Sequence, residues 1–512
     1  MRPRLAFATA AALVAAAVLA SPAGASFGVA SFSATARDAA NHDVTQAGAH
    51  PDTGTTSFTF NNLLGLPSGN VRNVRVDLPP GLISNPQATF LRCSDERFPS
   101  CPPESRLGTE TLTTTLPVPL SVPIYNMEPK PGQVSLFAFN APIFGRTDIV
   151  GGVRPGDSGL YFTISNIPQL SDLVSSQLTF WGMPSDHGSA NAKPFITLPT
   201  ACGTPGTTKL TVESWQGETA TATTTSAPAT GCDRLPFTPS LEAVADGRTS
   251  AGAGAGLVVT LRQPPDQANV RSVSVQLPAG LAARGSTVTG ACPEATFASD
   301  PTGCANALVG TVHAETPLLS GPLDGPVYLV AHPAGLPTIE ALLNGAGVGL
   351  DLSGTVTFGA SGITSAFNAV PDVPITRFVL DLPPGPHSAL SAPKGLCGGP
   401  LTVGATIVAH SGARVTQQAP LRVTGCTASV PRLRVLRVRV KGATVTFVVA
   451  VPRAGKLTLS GRGLRQARRH VKAPGTVTLT ARLRQRHHHH RVKVRVTVRL
   501  GLQAAHRTVV FG

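Results

Sequence analysis

Along much of this chain apolar and polar residues change places at every step, the period of a half-buried β-strand. Val74-Arg75-Val76-Asp77-Leu78 is one such run. Pro79-Pro80-Gly81 ends it, because proline cannot donate to a ladder and Pro-Gly suits a tight turn. Val273-Ser274-Val275-Gln276-Leu277 keeps the same apolar phase and changes only the outward face. The plainest alternation comes near the C-terminal end. There Arg491-Val492-Lys493-Val494-Arg495-Val496-Thr497-Val498-Arg499-Leu500 sets every valine on one face and every charge on the other. Lys456-Leu457-Thr458-Leu459 and Thr476-Val477-Thr478-Leu479 repeat the pattern, with Pro452, Gly455, Gly461, Gly463, Pro474 and Gly475 between them. Short strands, frequent turns and no long helix predict an all-β protein with a small antiparallel sandwich at its end.

The pattern is duplicated. Val71-Arg72-Asn73-Val74, Leu78-Pro79-Pro80-Gly81-Leu82, Cys93 and Phe98 recur 199 residues later as Val270-Arg271-Ser272-Val273, Leu277-Pro278-Ala279-Gly280-Leu281, Cys292 and Phe297. Pro123-Ile124-Tyr125 returns at Pro326-Val327-Tyr328 and Ile167-Pro168 at Val370-Pro371, now offset by 203. Trp215-Gln216-Gly217 and His410-Ser411-Gly412 hold similar places near the ends of the two copies. A period this long means duplicated domains rather than a solenoid, and it makes each copy a control for the other. The organisation predicted is a leader over 1–25, disulfide-stapled β-sandwich-like repeat domains over 26–238 and 239–428, and a basic β-sandwich over 429–512. Thr249 to Gly256 reads as a flexible loop, and Ala220 to Thr230 as an exposed strand or the start of a linker.

The leader has the form of an export signal: Arg2 and Arg4, an apolar run from Leu5 to Leu19, and Ala23-Gly24-Ala25 for cleavage. No later stretch is long and apolar enough to span a bilayer. Eight cysteines in an exported chain imply disulfides. Four fall in each copy: Cys93, Cys101, Cys202 and Cys232, then Cys292, Cys304, Cys397 and Cys426. The simplest pairing is local and the same in both copies, although four cysteines allow three connectivities. Metal spacing of the CxxC kind is missing, and no cofactor is implied.

Charge separates the C-terminal end from the rest. From Pro431 to Gly512 there is no Asp or Glu, and twenty of the 42 Lys and Arg residues lie there. The remainder holds 22 basic against 27 acidic residues. Alternation sets Arg437, Arg439 and Lys441 on one strand face and Arg491, Lys493, Arg495 and Arg499 on another. If the two strands share a sheet they form one cationic plate, suited to an anionic cell-wall polymer, polysaccharide or lipid surface. Aromatic residues there are few, which disfavours specific nucleic-acid recognition. His487-His488-His489-His490 reads as a polar hairpin tip, with metal binding as the alternative.

One motif suggests catalysis. Gly156-Asp157-Ser158-Gly159 resembles the nucleophile motif of chymotrypsin-like serine proteases, but His42 and His50 lack that family's Ala-His-Cys context. The second copy reads Gly359-Ala360-Ser361-Gly362, losing the acid and keeping both glycines. A hairpin turn accounts for both versions, so no enzyme is predicted. A secreted polymer hydrolase targeted by the basic domain is the alternative.

The series Leu78-Pro79-Pro80-Gly81-Leu82, Cys93, Phe98, Cys101-Pro102 and Leu107-Gly108 resembles uncharacterised secreted tandem-repeat β proteins of GC-rich actinobacteria. The second copy departs at Ala279 and Ala305. The resemblance implies an exported envelope or extracellular protein and brings no activity or site with it.

Overall fold

The computed structural model describes residues 26–142, 144–169, 172–246, 254–359, 362–397, 399–426, 432–484 and 492–511. The leader, the His487–His490 tract, Arg491, and Ala360 and Ser361 of the second glycine turn lie outside them, as does most of the expected loop over 249–256. The described residues are almost all β, as the alternation implies. They fall into two compact units, Met1–Gly425 and Cys426–Gly512.

The first copy contributes eleven long strands: β1 (Val29–Arg37), β2 (Thr53–Phe60), β3 (Val71–Asp77), β4 (Arg106–Thr114), β5 (Leu120–Met127), β6 (Ser135–Ala141), β7 (Gly145–Val153), β8 (Leu160–Ile164), β9 (Leu173–Trp181), β10 (Gly206–Ser214) and β11 (Thr219–Ser226). They hydrogen-bond in the order β1-β2-β9-β4-β5-β6-β7-β8-β3-β10-β11. The second copy repeats this strand for strand with β12 (Ser240–Asp246), β13 (Leu257–Arg262), β14 (Val270–Gln276), β15 (Leu308–Glu315), β16 (Leu323–Ala331), β17 (Thr338–Gly345), β18 (Val348–Gly359), β19 (Gly362–Phe367), β20 (Arg377–Leu382), β21 (Leu401–Ala409) and β22 (Arg414–Thr424). Its order is β12-β13-β20-β15-β16-β17-β18-β19-β14-β21-β22, and β22 pairs back onto β12 to close a barrel.

Eleven is an odd number, so an antiparallel ring must meet itself at one parallel seam. In the second barrel that seam is a ladder, Ala243 opposite Leu421 through Asp246 opposite Thr424. In the first, β1 and β11 end the sheet with no ladder between them among the described residues. The seam is pinned just beyond the strands, where Ala47 N–H donates to Thr230 O (2.9 Å) and Thr230 N–H to Thr45 O (2.8 Å). The Thr- and Ala-rich stretch after Ala220 is therefore an edge strand, not a linker.

The recurring motifs explain themselves as packing. Leu107-Gly108 and Val309-Gly310 sit at equivalent bulges on β4 and β15. A Cβ on Gly108 would stand 2.1 Å from Thr179 O, and one on Gly310 2.2 Å from Asp381 O. Only glycine admits that approach. Trp215 Nε1–H donates to Ile167 O (2.8 Å), and a ring nitrogen of His410 donates to Val370 O (2.9 Å). Two unlike rings thus make one duplicated bond, which is why the surrounding Gly and Pro recur and the ring does not. The copies meet at the buried Asp372, which accepts from Thr200 N–H (2.9 Å), Ala201 N–H (3.1 Å) and Asn269 Nδ2–H (2.9 Å). Thr200 Oγ1–H also donates to it.

The second unit contains β23 (Arg434–Lys441), β24 (Thr444–Val451), β25 (Gly455–Gly461), β26 (Ala467–Val471), β27 (Gly475–Arg482), β28 (Val492–Leu500) and β29 (Gln503–Phe511). They form two sheets, β23-β24-β27 and β26-β25-β28-β29. Val445, Phe447, Val449, Leu457, Leu459, Val496 and Val498 fill the core with essentially no exposure. These are the apolar phases of strands that alternate strictly, so the sandwich is written into the sequence period.

Candidate functional surfaces and buried groups

Cys93–Cys101, Cys202–Cys232 and Cys292–Cys304 are bonded, in the local pairing. Cys397 and Cys426 are disulfide-bonded as well. The two short bridges clip equivalent loops. Cys93 packs with Phe98, Tyr125 and Met127, and Cys292 with Phe297, Tyr328 and Val330. These cysteines and aromatics hold loops against the barrel wall.

The Gly156–Gly159 motif is part of the loop that joins β7 to β8. Asp157 accepts from Arg154 Nε (3.0 Å) and Nη2 (2.8 Å) and from Gly159 N–H (3.0 Å). The Arg154 hydrogen bonds hold its carboxyl below the usual range. Arg154 in turn donates to Leu78 O and Leu160 O, both at 2.8 Å. Gly156 (φ +92°) and Ser158 (φ +54°) take the left-handed turn. The acid anchors a hairpin through an arginine. In the second copy Gly359 pairs opposite Gly362.

The predicted cationic residues are brought to the surface, but not to one plate. Arg437, Arg439 and Lys441 lie on β23, while Lys493, Arg495 and Arg499 lie on β28, in the other sheet. Strand alternation fixes which side of its own strand a residue occupies and leaves open which sheet the strand joins. All six are exposed. Register adds Arg482 to the first face, opposite Thr444, and Arg468 and Lys456 to the second, beside Thr458 and Arg499. Threonines fill the rows between: Thr446, Thr478 and Thr480 on one face, Thr458, Thr497 and Thr508 on the other. The sandwich is therefore cationic on both outer faces.

Sequence reasoning missed Glu110 on β4. It is buried at 2% exposure, with Ser176 Oγ–H donating to Oε1 at 2.7 Å. Burial pushes its acid up to about 8, against a partial counter-effect from the serine. The signal was present: strand register aligns Glu110 with Val312 and Ser176 with Phe378. A carboxylate in the apolar phase where the other copy has valine is the mark of a special position.

Among the described residues no helix is long and apolar enough to cross a membrane. No group of three or more His, Cys, Asp or Glu side chains is placed there to hold a metal ion. No family model matches the chain, and no curated protein matches it. Among solved structures it is similar to the C-terminal domain of the Streptococcus agalactiae AgI/II polypeptide BspA, at 8% identity over 77% of this chain and 100% of that one, TM-score 0.19. It is similar to a 1.5-MDa bacterial ice-binding adhesin, at 10% identity over 94% and 96%, TM-score 0.15. It is similar too to a membrane-anchored protein of Corynebacterium diphtheriae, at 10% identity over 77% and 89%, TM-score 0.15. TM-scores of this size do not define a shared architecture.

Proposed function

We propose that the chain is an exported envelope or extracellular protein that acts by binding, and that its C-terminal sandwich docks to an anionic polymer. The two acid-free cationic faces carry the reading. Arg and Lys on an exposed sheet repel one another unless counter-charges gather, so such faces concentrate polyanions. Two opposed faces favour a polymer that can wrap or bridge over a lipid plane, which meets one face at a time. Cell-wall polymers and acidic polysaccharides of the actinobacterial setting implied by the repeat motifs have this chemistry. The disulfides suit an oxidising, extracellular compartment. The barrels would then present whatever else the protein carries.

The test is retention of the full chain on purified cell walls and on a dextran sulfate matrix as salt rises. The expected result is tight binding at low salt that falls linearly on a log–log plot. Lys493→Ala/Arg495→Ala/Arg499→Ala and Arg437→Ala/Arg439→Ala/Lys441→Ala should each flatten that slope, and the combined set should abolish retention. Retention unchanged in the combined variant, or none at low salt, would reject the reading.

A further inference from the structure

The first barrel holds a larger cavity than the second. Its interior cavity measures about 760 Å³, against about 140 Å³ in the second barrel. The aligned registers show which residues make the difference. Ser226 of the first copy aligns with Leu421 and Thr208 with Val403; Gly54 aligns with Leu257 and Gly206 with Leu401, although Ile196 and Pro79 take the space beside those two glycines. In the wall, Glu110 and Ser176 stand where Val312 and Phe378 stand. At every one of these positions the second copy has the more apolar or larger side chain. The fold therefore does not require the hollow.

The cavity has a direction. Its lining runs from Glu110 and Ser176 in the wall to Ala34, Ala36, Thr224 and Ser226 along the unladdered seam. Ser226, the last residue of β11, is exposed, so the cavity reaches solvent at that end of the strand. Phe162 and Phe195 each lie against Phe180, at 6.3 and 5.1 Å between centroids, and the three form an aromatic wall. The volume falls within the roughly 300–1,000 Å³ of small-molecule sites, which combine an apolar lining with few convergent polar groups. Here the convergent group is the Glu110–Ser176 pair.

We propose that the first barrel binds an uncharged lipid-like molecule, its apolar body in the aromatic hollow and its carbonyl or hydroxyl oxygen at Glu110 and Ser176. Ser176 donates to one carboxyl oxygen, which leaves the carboxyl's own proton to donate to the ligand. The acid keeps that proton at neutral pH because burial holds it at about 8. The other charged groups lining the cavity are Asp43, Arg154 and Asp157, and Arg154 is tied to Asp157 by an ion pair. The facing side chains from the strands packed on β4 are Ser176 and Leu178 of β9 and Val122 of β5, none titratable. A charged head group at the wall would find no counter-ion among these, which selects a neutral one.

The experiment uses the delipidated full chain, with hexadecanol, 2-hexadecanone, hexadecane and hexadecyl phosphate as probes, read by native mass spectrometry and calorimetry. One hexadecanol per chain is expected to bind saturably. Hexadecane, lacking the oxygen, should bind about tenfold more weakly, the worth of one net hydrogen bond. Glu110→Val/Ser176→Phe, which copies the second barrel, should lose the hexadecanol while keeping a cooperative unfolding transition. Affinity of the natural chain for 2-hexadecanone, whose carbonyl oxygen can only accept, should fall as pH rises through about 8, and Glu110→Gln should bind it with a flat profile. Absence of saturable binding, binding unchanged in the double variant, or preference for hexadecyl phosphate would overturn the proposal. Should the double variant fail to fold, a flat pH profile for the natural chain would overturn it alone.

Discussion

The two barrels share strand order, clipped loops, bulge glycines and even the bond between an aromatic ring and a carbonyl, yet the first holds a cavity of about 760 Å³ and the second one of about 140 Å³. The difference is concentrated at the seam and at one pair in the wall. In the second barrel Leu401 pairs with Leu421, and Leu421 lies opposite Ala243 in the parallel ladder, so the seam is lined by apolar residues. In the first barrel Gly206 pairs with Ser226 instead, and β1 and β11 stand side by side without ladder bonds. Parallel pairing is the weaker kind per residue, so the seam is the place where a small loss of packing opens the ring. A duplicated fold can thus diverge in content without diverging in topology.

The comparison breaks most severely if the second barrel is given the first one's interior. Val312→Glu/Phe378→Ser should destabilise the chain by roughly 4 kcal/mol or more, through a buried acid and an excised ring. Denaturant unfolding measures this, and a loss below about 1 kcal/mol would show that the second barrel tolerates a hollow.

Next comes the cost of Glu110 itself. Its folded value, about 8, lies above the 4.5 of an ordinary glutamate. The folded state therefore holds the proton more tightly. Its contribution is fully present below about pH 4.5 and is lost as pH rises toward 8. Over that window the natural chain should lose on the order of 5 kcal/mol relative to Glu110→Val. Parallel pH–stability curves for the two proteins would contradict the burial argument.

Asp372 tests what joins the copies. Its counterpart in the first copy is Gln169, which follows Ile167-Pro168 as Asp372 follows Val370-Pro371. Asp372→Ala leaves the Thr200, Ala201 and Asn269 donors without their acceptor and should cost about 2 kcal/mol. Thermal unfolding should show the loss, and an unchanged midpoint would mean that water replaces the carboxylate at no penalty.

The smallest effect concerns the seam. Amides of β11 should exchange with solvent faster than those of β22, which carries a ladder on both sides, by one to two orders of magnitude on the scale of local opening. Addition of hexadecanol should narrow that gap by ordering β11. Equal protection in the unliganded chain would show that the first seam is closed in solution.

Much of this was legible in the sequence. Alternation indicated the strand phases, the return of Leu-Pro-x-Gly-Leu and of a cysteine 199 residues later (Cys93, Cys292) pointed to the duplication, and the acid-free tail from Pro431 marked out the basic stretch. In the serine-protease-like motif, Asp157 pairs with Arg154 and so has a structural role in its loop. Glu110 was overlooked because a single acid in Leu107-Gly108-Thr109-Glu110 looks like an outward residue until the bulge at Arg106–Gly108 sets the phase.

What the sequence determined by itself were properties carried by one strand at a time: which side of each strand is apolar, where it turns, where charge accumulates. The tertiary structure alone decided which strands became neighbours. It sent β23 and β28 to different sheets and split the cationic plate into two faces. It also curled each eleven-strand copy round until its ends met at a parallel seam, and it left the larger cavity in one of the two rings. The physical reason is the same in each case. Alternation is a local steric property of the backbone, whereas a cavity or a shared face is a sum over side chains that converge from strands far apart in the chain.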